Sequence, residues 1–284
     1  MKNILALLFL IPFALLAQED EDLLAEIEET VVVDSTVSAA FKGLKIVNFE
    51  STKMVGKGAL FFVVSHRFGS VNRGFDDFFG LDQAVTRLNF IYGISDDLSV
   101  GISRSSFQKI YEGSLKLRLV QQKKNGAPFT IVSFNTLLIN TALDRNILPL
   151  LEFDNRLGYT TQLLVSRKFS ESFSLELIPT FFHDNYVPID EQDNSQFAIG
   201  IGGRQKLTKR WSLNFDYGVH LNRASTSPFR NPLSIGFDLE TGGHVFQLHF
   251  TNAQPMNTNY FLGQATGDWG EGDFFFGFNL SRVF

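Results

Sequence analysis

The residues able to carry chemistry are few and scattered. The histidines are His66, His183, His220, His244 and His249. No two of them have the i, i+4 spacing by which imidazoles on one helix face share a metal ion. Cysteine is absent, so neither a thiolate ligand nor a disulfide is available. No metal site and no cofactor is expected. A phospholipase working at a membrane surface needs a nucleophilic serine, a histidine and an orienting polar group. Serines are plentiful and His220 falls on a polar strand face, yet no nucleophile elbow or triad signature accompanies them. Ordinary polar lining is the better reading, and no enzymatic activity is expected. His66 and Arg67 form a candidate anion site, set against the plainer reading of a loop anchor or interfacial girdle. Gly200, Gly202 and Gly203 beside Arg204 do not make a phosphate loop, because they sit in an alternating strand with no helix after them. Their missing side chains are expected to leave room in an interior. The most informative group is a set of charges: Arg87, Lys116, Arg118, Glu176, Arg204, Asp216, His220, Asp238 and Glu240.

The elements that position these residues have a period of two. Successive strand side chains point to opposite faces, so alternation reports one apolar and one polar wall. From about Gly58 onward that alternation dominates. Trp211, Leu213, Phe215, Tyr217, Val219 and Leu221 share one face, while Ser212, Asn214, Asp216, Gly218, His220 and Asn222 share the other. Leu88, Phe90 and Tyr92 oppose Arg87 and Asn89; Leu233, Ile235 and Phe237 oppose Ser234, Gly236 and Asp238. The pattern predicts about twelve strands of roughly ten residues, the length a tilted strand needs to cross a bilayer.

Composition agrees. The chain holds 31 Phe against 6 Tyr and 2 Trp, with 19% charged residues, and its mean hydropathy is +0.02. A greasy outer wall around a polar interior gives that mixture. The links between strands sort by parity. Those at 69–83, 141–156, 183–195 and 252–273 are long, and those at 106–112 and 223–232 are intermediate. Those at 95–97, 123–128, 170–172, 208–210 and 241–243 are short, and Asn125-Gly126 is a hairpin signal. Short periplasmic turns alternating with longer outer loops mark bacterial outer-membrane barrels, whereas a soluble sandwich has no reason to sort its loops. In hydrocarbon an open sheet edge leaves unpaired N–H and C=O groups, so the sheet is expected to close. The expected fold is an all-β, transmembrane, antiparallel up-and-down barrel with both termini periplasmic.

The domain reading follows. Residues 1–17 have Lys2 ahead of a short apolar run and a small residue at Ala17, as in a secretory signal peptide. The formal net charge of −5 includes Lys2, so removing the leader gives −6. Residues 18–40 are an acidic periplasmic tail without Lys or Arg, read as a solvated arm or as a docking peptide. Residues 41–57 are a lead-in, partial plug or extra strand, and 58–284 are the barrel. On the last strand Phe278, Leu280 and Phe284 share a face and the chain ends on an aromatic residue, a pattern similar to the signal read by the barrel-assembly machinery.

Several motifs resemble a known family. They are Ser65-His66-Arg67-Phe68-Gly69, Phe78-Phe79-Gly80-Leu81-Asp82, the hairpin from Tyr92 to Ser105, Tyr111-Glu112-Gly113, and the closing Gly277-Phe278-Asn279-Leu280-Ser281-Arg282-Val283-Phe284. They are similar to an uncharacterised family of outer-membrane barrels of the Bacteroidota, over residues 41–284. The resemblance implies a barrel in the outer membrane and no established reaction or ligand.

With odd strands running outward, Arg87, Lys116, Arg118 and His220 are expected toward the outer half of the lumen. Glu176, Asp238 and Glu240, with Arg204 near them, are expected toward the periplasmic half. Such charges either line a narrow aqueous path or pair across the bore and seal it. Three functions are therefore carried forward. The first is an accessory subunit of a larger outer-membrane assembly. The second is a narrow passive channel for small polar solutes, and the third a remote outer-membrane phospholipase. Expected partners are outer-membrane lipid and lipopolysaccharide, the assembly machinery, and other proteins reached through residues 18–40 and the outer loops. Nothing in the charge balance suggests nucleic acid.

Overall fold

The computed structural model describes residues 36–284. The expectations for the leader, and for the acidic arm before residue 36, lie outside the described residues.

The alternating segments become twelve antiparallel strands. They are β1 (Leu60–Ser70), β2 (Ala84–Gly93), β3 (Leu98–Ser105), β4 (Ile110–Val120), β5 (Thr130–Asn140) and β6 (Leu157–Lys168), then β7 (Phe173–Asp184), β8 (Ser195–Lys206), β9 (Trp211–His220), β10 (Leu233–Thr241), β11 (His244–Thr251) and β12 (Phe275–Val283). Each strand pairs with its neighbours in sequence, and β12 returns to β1, so the sheet is a closed up-and-down barrel. Phe61 faces Val283 and His66 faces Phe278 across the closing seam. Beyond it, Leu60 and Phe284 exchange backbone hydrogen bonds of 3.2 and 2.9 Å. Closure satisfies both edges, which a hydrocarbon surrounding requires.

The greasy positions face outward. Phe197, Ile199 and Ile201 on β8, Ile235 and Phe237 on β10, and Phe246, Leu248 and Phe250 on β11 are all exposed. Their neighbours Gln196, Ser234, Asp238, Gln247 and His249 are buried inside. Rings from adjacent strands meet on the outer surface, as with Phe68 and Phe276 stacked at 5.6 Å. Gly242 and Gly243 make the β10–β11 turn with φ of 26° and 121°, a left-handed backbone that favours glycine and matches the twist of a tight hairpin.

The parity of the links departs from expectation at one place. The β3–β4 link shrinks to residues 106–109, and the β4–β5 link, at the opposite end, extends over 121–129. The reason is the incoming chain. Thr36 bridges to Lys123, and the Val37 amide donates to the Gln122 carbonyl at 2.9 Å. That link is long because it receives the segment entering the barrel.

Candidate functional site

Most inward-facing strand positions are polar, so the bore they enclose must be filled by water or by groups able to satisfy them. Here residues 40–55 occupy it. Phe41, Ile46, Val47 and Phe49 are buried, and Phe41, Ile46 and Phe49 join Ile178, Phe182 and Ala198 of the wall in one apolar cluster. The segment folds back on itself. The Ile46 amide donates to the Phe49 carbonyl at 2.9 Å, and the Ser51 amide to the Leu44 carbonyl at 2.8 Å. Irregular backbone of this kind is tolerated at membrane depth only where protein or a cavity satisfies it.

The wall supplies that satisfaction. Asp216 Oδ2 accepts the amides of Val47, Asn48 and Phe49 at 3.0, 2.7 and 3.1 Å. Three successive N–H groups converging on one carboxylate oxygen form an anion nest, here occupied by the barrel's own side chain. Glu176 accepts the Thr52 amide at 3.0 Å. Gln247 Nε2 donates to the Lys45 and Ile46 carbonyls, both at 3.0 Å. Arg204 donates to the Ala40 carbonyl at 3.2 Å. Lys45 and Lys116 lie 2.9 and 3.4 Å from the two oxygens of Glu50. Lys42 pairs with Glu240 nearer the short-turn end.

The glycines of β8 and β9 serve as a socket. A Cβ on Gly200 would lie 2.6 Å from the Phe49 ring, and one on Gly202 would lie 2.3 Å from Ile46. One on Gly218 would sit 2.8 Å from Leu262 and 3.0 Å from Phe49. The room expected beside Gly200 and Gly202 is therefore taken by the segment.

The upper bore is filled from the other end. The link between β11 and β12 dips inward and carries the helix α1 (Thr258–Gly263), most of which is buried. Phe261 meets Phe49 edge to face at 4.9 Å, so the two fillers touch. Arg87 pairs with Glu112, donates to Ser103 at 3.0 Å, and reaches the Met256 carbonyl at 3.2 Å. Asn257 donates to the other Glu112 oxygen at 2.7 Å. Arg223 holds the Leu262 and Gly263 carbonyls at 2.8 and 3.2 Å. Burial lowers its guanidinium to about 10, which leaves it cationic at neutral pH. Burial, and then the nearby Asp184 carboxyl, push the Tyr260 phenol above its ordinary value.

The interior charges thus divide by partner. Lys116, Glu176, Arg204, Asp216 and Glu240 meet the N-proximal segment, while Arg87 meets the descending link. Asp238 accepts from Gln247 at 2.9 Å. Two placements need correction. Lys116 faces Ser99 and Arg118 lies beyond the Leu98–Leu117 pair, so both belong to the short-turn half. Strand β4 runs from the long-loop end to the short-turn end, which puts its later residues there. Arg118 donates to Asp97 of the tight β2–β3 turn at 2.7 Å and reaches no lumenal partner among the described residues.

His66 and Arg67 do not act together, because adjacent strand residues point to opposite faces. His66 stacks outside on Phe278 at 5.2 Å. Arg67 is 1% exposed inside and donates to Asn48 and Asn279 at 3.0 and 3.1 Å. His220 packs against Phe182 at 5.3 Å, and no serine hydroxyl bonds its ring. Among the described residues no cluster of His, Asp and Glu is arranged to hold a metal ion. Glu50, Glu112 and Asn48 were not anticipated. Glu112 follows Tyr111 on the polar side of an alternating strand, a signal that was present; Glu50 and Asn48 lie where no periodicity exists to orient them.

A family model described as "Membrane bound beta barrel domain (DUF5777)" matches residues 41–284. No curated protein matches the sequence. Among solved structures, the KdgM porin aligns at 7% identity with a TM-score of 0.48, covering 80% of this chain and 99% of that one. The COG4313 outer membrane channel from Pseudomonas putida F1 aligns at 14% identity and 0.49, covering 82% and 98%. The Acinetobacter baumannii outer membrane protein Omp33 aligns at 8% and 0.42, covering 81% and 100%.

Proposed function

This chain belongs to the DUF5777 family of membrane-bound β-barrels, and from that premise we propose that it is an outer-membrane channel closed by its own residues 40–55 and its last long link. The observation that carries the reading is the burial of the inner wall. Arg67 and Glu176 are each 1% exposed and Asp216 is 0% exposed, where an aqueous pore would leave such groups wet. The wall behind the segment carries polar groups beside its apolar patch of Ile178, Phe182 and Ala198, and water replaces the hydrogen bonds those polar groups lose when the segment leaves. Phe261 of the link rests on Phe49, so in this reading the two fillers withdraw together and small polar solutes then have a path. A bore meant to be permanently sealed gains more from apolar packing than from charges that must all be paired.

The short-turn end, which the N-proximal segment enters and where Phe284 ends, faces the periplasm in this reading. Residues 1–17 are removed on export, and the acidic tail of residues 18–40 is periplasmic. The face carrying Phe278 and Leu280, together with Phe284, serves recognition by the assembly machinery, and the outer rim meets lipopolysaccharide.

Planar-bilayer recording tests the proposal. The intact protein is expected to be closed for most of the record, and a chain lacking both residues 41–55 and the inward part of the last link, residues 256–264, to conduct steadily. A deletion variant that keeps the heat-modifiable mobility of a folded barrel yet stays silent overturns it. So does steady conductance by the intact protein.

An accessory role within a larger assembly has its own support. Phe75, Ile147 and Leu150 are 84, 79 and 93% exposed on the long-loop links, beyond the outward strand faces. Large apolar groups so placed suit contact with another protein. Purification from native membranes in mild detergent tests that reading, and recovery of the barrel alone counts against it.

A further inference from the structure

At the long-loop end, above α1, four links surround a void of about 190 Å³. Gln108 of the β3–β4 link lines it, with Asn140 at the end of β5, Tyr186 of the β7–β8 link, and Tyr260 and Gln264 of the β11–β12 link. Ala142, Leu143 and Pro188 complete the lining, and no charged side chain takes part. At about 30 Å³ for each water, the void has the capacity of one sugar ring.

The polar groups form a neutral chain. Gln108 Nε2 donates to Gln264 Oε1 at 3.3 Å. Asn140 Nδ2 donates to Gln108 Oε1 and, at 3.0 Å, to the Tyr260 hydroxyl. Gln264 Nε2 and the Tyr186 hydroxyl have no protein partner among the described residues and remain available. Amides that hold one another in place while keeping spare donors and acceptors suit vicinal hydroxyls, each of which both donates and accepts. The tyrosine rings suit the C–H surface of the same molecule.

The backbone adds an independent sign. Gln108 and Lys109 have φ of 48° and 50°, a left-handed conformation at two consecutive residues that are not glycine. Such strain persists where the surroundings impose it, and it gathers at ligand sites. Here it falls at Gln108, whose side chain lines the void.

We propose that this void binds one ring of a neutral carbohydrate through Gln108, Asn140 and Gln264, with Tyr186 and Tyr260 as its apolar contacts. The absence of charge argues against acidic sugars, whose carboxylate would be left without a cation on desolvation. The site goes beyond the closed-channel reading and does not depend on movement of residues 40–55.

Saturation-transfer NMR on the full chain, in an amine-oxide detergent that carries no sugar, tests the proposal. The probes are methyl β-glucoside, cellobiose and glucuronate, with an uncharged hexose oligosaccharide from the lipopolysaccharide outer core as a separate arm. The neutral probes are expected to receive saturation and glucuronate none. Competition between cellobiose and the core oligosaccharide tells whether free sugar or neighbouring lipid is preferred. Gln264→Leu is expected to weaken the neutral probes at least tenfold, and Tyr260→Phe to weaken them less because the ring remains. Both variants are first checked for heat-modifiable mobility. Absence of transfer to every neutral probe, a preference for glucuronate, or equal transfer in folded Gln264→Leu overturns the proposal.

Discussion

Gly200→Ala places a methyl group where the structure has none to spare. The new carbon would stand 2.6 and 2.7 Å from two atoms of the Phe49 ring and 3.2 Å from Ile178 Cβ. Carbon atoms sit comfortably at about 3.5–4.0 Å, so the overlap with the ring is about 1 Å. The ring has nowhere to retreat, because Phe261 backs it at 4.9 Å and Gly218 lies close on another side. Overpacking of this kind costs about 1–3 kcal/mol. The strain exists only while the segment is seated. It therefore shifts the seated-to-withdrawn ratio about 5- to 150-fold. The opposing effect, in which alanine narrows the unfolded ensemble, is about 0.4–1 kcal/mol and acts on the whole barrel, not on the seat. Gly202→Ala is the control. Its methyl meets Ile46 Cδ1 at 2.3 Å, the free end of a flexible side chain that can rotate away, so its effect is smaller. The assay is amide exchange over residues 46–52 by mass spectrometry, alongside open probability in planar bilayers. Gly200→Ala should speed exchange and raise opening, and Phe49→Ala in the same chain should cancel its added effect. Exchange and conductance unchanged in Gly200→Ala, or single effects that simply add in the double variant, would refute the reasoning.

Three further outcomes are expected. Asp216→Asn removes the charge from the oxygen that gathers the Val47, Asn48 and Phe49 amides. Bonds to a charged acceptor contribute about 1.5–3 kcal/mol each, so those amides should exchange at least tenfold faster, and unchanged protection would show that the nest does not hold the segment. Glu112→Gln leaves the Arg87 guanidinium buried without its counter-charge. Breaking one partner of a buried pair costs about 3–5 kcal/mol, to be read as a lower urea midpoint of the folded, heat-modifiable form; a midpoint equal to the parent's would mean that water reaches Arg87. Leu248→Arg puts a charge on the outward face of β11, at a position 48% exposed. A cost of about 2–4 kcal/mol is expected in lipid vesicles if that face meets hydrocarbon at the midplane, and a change within experimental error would remove the position from the membrane.

How much was legible in the chain depends on the range of the signal. Alternation is a local property: whether Phe215 and Asp216 point apart is decided by neighbouring dihedrals, so one strand at a time reveals an apolar and a polar wall. Twelve such strands, with no way to leave edges unpaired in lipid, imply closure before any contact is known. Gly242-Gly243 as a turn is legible for the same reason, since its geometry is set by two residues. The lumen is a different matter. Asn48 reaches Asp216 across 168 residues of sequence, and Arg67 reaches Asn279 across 212. Nothing in residues 40–55 is periodic, so their conformation is dictated by the wall that receives them. The glycines of β8 and β9 read as room, and only the structure shows Phe49 and Ile46 in it. His66 and Arg67 look like a pair along the chain and are parted by the pleat. Lys116 and Arg118 were placed toward the wrong end because their height depends on which end β4 starts from. The sequence by itself determined a closed β-barrel with a greasy outside and a polar inside, because those follow from side chains that alternate. What fills the inside was decided only by the tertiary structure, because closure brings together residues that no local pattern relates.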